Sequence, residues 1–194
     1  MSAIDGGSAV WYLMRGSGVV SLILLTGVMA LGVATVGASR LGALPRFATL
    51  ALHRSLALMS VVFLAVHVAS AVVDPYATVR LVDVLVPFAG RDQALALGLG
   101  TLALDLVVAL AVTGALRTRM NRVAWRAVHW SAYALWPAAF LHALAIGSDS
   151  ATGWMRIVAV GCVTVIAGAV AWRILIAPAG TSTPASAPPT RGRP

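Results

Sequence analysis

The chain contains no lysine and no glutamate, and its one cysteine, Cys162, lies in an apolar run. A lone cysteine excludes an intrachain disulfide and a thiolate metal cluster. Charge of either sign is scarce: 10% of the 194 residues are charged, against about 25% in an average soluble domain. With 60% apolar residues and a mean hydropathy of +0.92, an ordinary globule is excluded. A 20 kDa core cannot hide that much apolar surface, so much of it must face lipid. The whole chain reads as one membrane domain. The missing lysine and glutamate look like compositional bias, to which no function attaches.

The charges that are present carry topology. The net charge of +8 comes from 14 arginines set against six aspartates. A pI near 11.5 suggests nucleic acid only where the cations form one patch or stripe. Here they sit in short segments between apolar runs, so no nucleic-acid partner is expected.

About 20 apolar residues cross the ~30 Å hydrocarbon core, and five stretches qualify: 17–38, 48–73, 93–115, 127–147 and 154–176. The expected fold is an all-α, polytopic membrane helix bundle of five transmembrane helices. Trp11, Tyr12, Trp125, Trp130, Trp154 and Trp172 fall near span ends, where amphipathic rings favour the headgroup zone. The first run is longer than a signal-peptide core, and no positive cluster precedes it, so it reads as a retained helix.

Arginine placement orients the bundle. Arg40 and Arg46, then Arg117, Arg119, Arg122 and Arg126, then Arg173, Arg191 and Arg193 fall on one side. Only Arg15, Arg80, Arg91 and Arg156 fall on the other. The positive-inside rule puts the N-terminus outside and the C-terminus in the cytoplasm. The expected parts are an extracytoplasmic segment 1–16, a transmembrane domain 17–176 and a disordered Pro/Ser/Thr/Ala-rich tail 177–194. The outer stretch ATVRLVDVLVPF within 74–94 reads either as an amphipathic lid on the membrane surface or as a plain connector.

All four histidines, His53, His67, His129 and His142, lie in these runs. An ionisable side chain in a span is costly and usually marks function, although a single histidine is as readily explained by a bond to a neighbouring helix. His53 and His67 are 14 residues apart, about 40° around the helix and about 21 Å along it. His129 and His142 are 13 apart, about 20 Å along the axis. The second and fourth spans run in the same direction, so His53 matches His129 near the cytoplasmic side and His67 matches His142 near the outer side. Each pair offers two neutral imidazole nitrogens to one iron, a common form of haem ligation. Thirteen residues also turn an ideal helix by about 220° beyond whole turns. His129 and His142 therefore do not share a face unless a kink at Pro137 re-aims one of them.

On these residues the chain resembles the ferric-reductase-like transmembrane domain shared by NADPH oxidases, ferric reductases and the membrane haem subunit of bacterial methionine sulfoxide reductase. The likeness rests on the unequal double histidine spacing, on LHRSLALMSVVFLAVHV around the first pair and on WRAVHWSAYALWPAAFLHAL around the second. It spans roughly residues 11–175. The resemblance implies two b-type haems that relay single electrons across the membrane, the inner on His53 and His129, the outer on His67 and His142. It also implies six helices and a C-terminal flavin and nicotinamide domain in many relatives. Here five spans are expected, and no glycine-rich phosphate loop follows a strand. A separate flavin-containing reductase or membrane quinol is therefore the expected donor.

Around the ligands, Arg54, Arg126 and Arg15 are candidate partners for haem propionates, because a guanidinium suits a carboxylate; interfacial snorkelling explains them as well. Asp105, near the middle of the third span, can orient a histidine, relay protons or bond a neighbouring helix. Ser55 and Ser131 each follow an inner histidine by two residues and can bond their own backbone. Gly27, Gly32, Gly98 and Gly100 allow close helix packing or close approach of a porphyrin. Asp74 and Asp149, with Ser148 and Ser150, form a weak motif for a hard cation such as ferric iron.

The leading reading is a haem-b electron-transfer protein, an oxidoreductase subunit, in a bacterial plasma membrane. It passes electrons to an extracytoplasmic acceptor: ferric iron, oxygen or a partner redox protein. The alternative is a non-redox haem carrier or assembly scaffold. Proton pumping has less support, since only Asp105 joins the histidines as an ionisable group deep in the membrane.

Overall fold

The computed structural model of the chain describes residues 3–34, 45–91, 93–147 and 149–176. Expectations for Arg40, Asp92, Ser148 and the 177–194 tail lie outside the described residues. The described chain is all helix, without strands: α1 (Ala3–Ala34), α2 (Arg46–Val73), α3 (Leu81–Leu85), α4 (Ala94–Ala115), α5 (Arg122–Trp130), α6 (Ala132–Ile146) and α7 (Gly153–Ile176).

Among the described residues four helices are long and apolar enough to cross a bilayer: Ala9–Ala34, Arg46–Val73, Ala94–Ala115 and Gly153–Leu175. The first begins eight residues before the expected span. Leu58, Val62, Val160 and Ile157 are among many large apolar side chains exposed on these helices, as lipid-facing surfaces require. The chain is a multi-pass membrane protein.

Local chemistry sets the helix ends. Pro45 precedes α2 with φ −67° and ψ 146°. Its ring lacks an N–H, which costs nothing ahead of a first turn whose amides have no intrahelical partner. At the other end Asp74 is extended (φ −75°, ψ 115°), because Pro75 disfavours the helical region for the residue before it. Asn121 caps α5, its side-chain oxygen accepting the Val123 amide at 2.8 Å.

The expected fourth span, 127–147, is realised as two helices. The interruption is at Ser131, six residues ahead of the expected kink at Pro137, which continues inside α6. The Ser131 amide bonds Val128 O at 3.0 Å, an i to i−3 bond that tightens the turn. The Ser131 hydroxyl binds the same carbonyl at 2.7 Å, a backbone bond of the kind anticipated for it. His129 and His142 therefore belong to different helices, and an ideal-helix phase no longer relates them.

α2 lies along α1, which also packs on α7 and touches α6; α4 packs on α6 and carries α3 and α5. Ala103 and Val107 of α4 meet Leu135 and Ala138 of α6 in one buried cluster, joined by Leu25 of α1 and Leu64 of α2. Leu22, Met155 and Cys162 form a second, with Trp136 and Phe140 against it. Two helix pairs, α1/α2 and α4/α6, are the walls on which three of the four histidines stand.

Candidate functional site

His53 and His67 project from α2 toward α1. His67 Nδ1 is 2.7 Å from Met14 O, and His53 Nδ1 is 3.0 Å from Val28 O. On the opposite wall, His142 of α6 sets its Nδ1 2.8 Å from Ala96 O of α4. A carbonyl only accepts, so each of these Nδ1 atoms carries the proton and donates it. In the neutral ring Nε2 is then an unprotonated lone pair.

The rings of His67 and His142 stand 6.4 Å apart, centre to centre, with planes at 80°. A metal–imidazole bond is about 2 Å long, and a ring nitrogen lies about 1.2 Å from its ring centre. Two imidazoles opposed across one metal ion are thus about 6.4 Å apart. The observed separation matches. His129 is held differently: its ring stacks on Trp125 at 4.9 Å and 16°, one helical turn earlier. All four rings are half-buried. No cluster of three or more metal-binding side chains occurs among the described residues. The donor set seen together is one imidazole pair, His67 and His142, which suits axial ligation of a planar tetrapyrrole rather than a tetrahedral metal site.

The other expected site residues divide. Arg54 and Arg126 are exposed beside His53 and His129, and neither forms an ion pair among the described residues, so both are free to meet an anion. Arg15 is already engaged: it is ion-paired with Asp149, and its guanidinium carbon lies 3.9 Å from the Trp11 ring centre. Asp149 is thereby occupied. Asp74 is buried; its Oδ1 accepts the Tyr76 amide at 2.9 Å, while its Oδ2 has no hydrogen-bond partner among the described residues. Asp105 is exposed on the face of α4 opposite Ala103, about 200° around the helix. No hydrogen bond joins it to a histidine among the described residues, and Nδ1 of His53, His67 and His142 each reaches a carbonyl.

The stretch 74–94, expected to lie outside, contains a folded element, α3. Asp83 takes three bonds from Arg80, through the Arg80 amide (3.0 Å), Nε (3.0 Å) and Nη2 (2.6 Å). The Thr101 hydroxyl donates to Asp83 O at 2.5 Å and ties α3 to α4. The guanidinium holds the Asp83 carboxyl below its ordinary range, against the opposing effect of burial.

Gly18, Gly32 and Gly100 are the neighbours that residue-by-residue reading underrated. Gly18 and Gly32 lie 14 apart, the same interval as His53 and His67, and that mirrored spacing on two antiparallel helices was the available signal.

The fold defines a class, the all-helical multi-pass membrane proteins, here with the imidazoles of His67 and His142 facing each other between helices. The family model for ferric reductase-like transmembrane components matches residues 17–140, and the chain belongs to that family. The match includes His53, His67 and His129, with His142 two residues beyond it. Members of the family generally bind haem, and membership points to a membrane electron-transfer role. No curated protein and no solved structure matches the chain.

Proposed function

We propose that the chain is a membrane electron-transfer subunit holding two b-type haems, one between His67 and His142 and one between His53 and His129. The observation that carries this reading is the 6.4 Å separation of the His67 and His142 rings, with Nδ1 of each committed to a carbonyl. Two Nε2 lone pairs are left to ligate. Bound there, haem iron supplies one-electron oxidation and reduction.

The side chains do the rest. Helices α1, α2, α4 and α6 exclude water and hold the rings at fixed depth. Arg54 and Arg126 offer guanidinium groups for the propionates of the haem on His53 and His129. Arg15, expected to serve the other haem, is also ion-paired with Asp149, which ties α1 to the α6–α7 turn.

The orientation follows the arginines. Arg46, Arg117, Arg119, Arg122, Arg126 and Arg173 lie toward the end that holds His53 and His129, taken as cytoplasmic. The His67/His142 end, with α3 and the Arg15–Asp149 pair, is taken as outer. α5 and α6 together make the fifth crossing, since α6 runs antiparallel to α4 and ends near the start of α1. Electrons enter on the inner side, from a flavin-containing reductase or from quinol. They leave to an extracytoplasmic acceptor: ferric iron, oxygen or a redox protein.

The test is the oxidised and dithionite-reduced absorbance of the purified protein, with haem counted as its pyridine adduct. Two haems per chain with six-coordinate b-type spectra are expected. His67→Ala removes one of them. A colourless wild-type preparation overturns the reading, and a His67→Ala protein that keeps both haems overturns the pairing.

A further inference from the structure

Three of the four imidazoles are seated in the same way. His67 bonds the carbonyl of Met14, and Gly18 lies four residues on. His53 bonds the carbonyl of Val28, and Gly32 lies four residues on. His142 bonds the carbonyl of Ala96, and Gly100 lies four residues on. In a helix the carbonyl of residue i already accepts the amide of residue i+4, here a glycine each time. Its second lone pair is approached from the side, near the position where the i+4 residue would carry Cβ.

At two of the three seats that position is filled by the histidine ring. A Cβ on Gly100 would lie 2.6 Å from Nδ1 and Cε1 of His142, and one on Gly18 would lie 2.8 Å from the same atoms of His67. A Cβ on Gly32 would stand 3.5 Å from Cε1 of His53, an ordinary contact. Gly114, farther along α4, has nothing within 4 Å of such an atom.

We infer that Gly18 and Gly100 are positioning residues for the ligands of one haem. Each opens a backbone carbonyl to a histidine Nδ1–H, which fixes the tautomer and turns Nε2 toward the iron. Gly32 shares the geometry with room to spare. The inference rests on the haem reading above. Donation from Nδ1–H to a carbonyl makes the imidazole a stronger ligand, so the effect of these glycines is on the electronic character of the haem as well as on packing.

The experiment uses the purified holoprotein and compares Gly18→Ala, Gly100→Ala, Gly32→Ala and Gly114→Ala with wild type. Haem per chain, the low-spin electron paramagnetic resonance signal and the midpoint potential of each haem are read. Alanine is the better helix former, so a role in helix stability alone leaves all four variants with wild-type spectra. Gly18→Ala and Gly100→Ala are expected to shift the resonance of the His67/His142 haem and raise its potential. Alternatively they weaken its retention by about 10–100-fold, the usual cost of losing such an outer partner. Gly32→Ala and Gly114→Ala keep both haems unchanged.

Should Gly100→Ala fail to accumulate, the wild-type protein itself gives the answer. With 15N-labelled histidine, the reduced holoprotein is expected to show slowly exchanging Nδ1–H protons on His67 and His142. Their absence overturns the inference, as do wild-type spectra in both Gly18→Ala and Gly100→Ala. A wild-type chain without haem overturns the haem reading itself, which separates the two failures.

Discussion

Trp136 of α6 donates its indole N–H to the hydroxyl of Thr26 on α1 across 2.9 Å, and Thr26 in turn donates to Leu22 O of its own helix at 2.8 Å. The bond joins the two helix pairs at mid-membrane, beside the stacked ring of Phe140. Thr26→Val keeps the shape and strands the indole N–H. Interhelical hydrogen bonds in membranes average about 0.6 kcal/mol and reach about 1.7, so a loss of about 1 kcal/mol is expected. Reversible unfolding in detergent measures it. Thr26→Ser restores the bond, and equal losses in both variants would rule out the hydrogen bond as the cause.

The Arg15–Asp149 pair is predicted to contribute to stability and to occupy the Asp149 carboxylate, so that Asp149 binds no ferric ion. Both side chains keep about a fifth of their exposure, so the pair is expected to be worth about 1 kcal/mol or less, with the Trp11 contact adding a similar amount. A double-mutant cycle with Arg15→Gln and Asp149→Asn gives the coupling. Additive losses, or iron binding to the wild type that Asp149→Asn abolishes, contradict this assignment.

Much of the site was legible in the order of residues. The 14-residue interval of His53 and His67 puts both on one stripe of α2, and simple helix geometry required nothing more. The break at Ser131 was not legible, because proline is the usual cause of a kink and Pro137 stands close by. Pro137 stays within α6, while Ser131 interrupts the ladder through a tightened turn that WSAY does not announce. Arg15 was equally opaque: its partner, Asp149, is 134 residues away in sequence, so only the folded chain reveals that its charge is taken. The glycines were visible as residues, but their role needed the histidines placed against them.

Stability of the outer cover should depend on pH through Asp83. Its folded pKa lies below the unfolded value, mainly because Arg80 bonds it. The contribution is therefore fully present above the unfolded pKa of about 3.9 and is lost as pH falls through the folded one. Amide exchange of α3 is expected to be flat, after correction for intrinsic rates, from about pH 8 to pH 5 and to quicken below about pH 4. Arg80→Gln removes the main cause of the lowered pKa, so the quickening at low pH becomes smaller. A loss already complete at pH 6 is incompatible with Asp83 as the titrating group.

On the two-haem reading proposed above, the two sites are expected to respond differently to their surroundings. His129 has an aromatic face where the other three histidines have a carbonyl: Trp125, 4.9 Å away and nearly parallel. Removing that face by Trp125→Leu leaves α5 intact, since leucine is a good helix former, but frees the His129 ring to rotate. The haem on His53 and His129 should then be lost or weakened by about tenfold or more, with the haem on His67 and His142 unchanged in stoichiometry and resonance. Trp125→Phe restores a stacking face and is expected to recover most of the binding. Simultaneous loss of both haems would mean that Trp125 acts on the fold as a whole. Retention of both would mean that His129 needs no such support. Only selective loss with rescue by phenylalanine agrees with a ligand oriented by stacking, because selectivity excludes global unfolding and rescue excludes a role for the indole N–H.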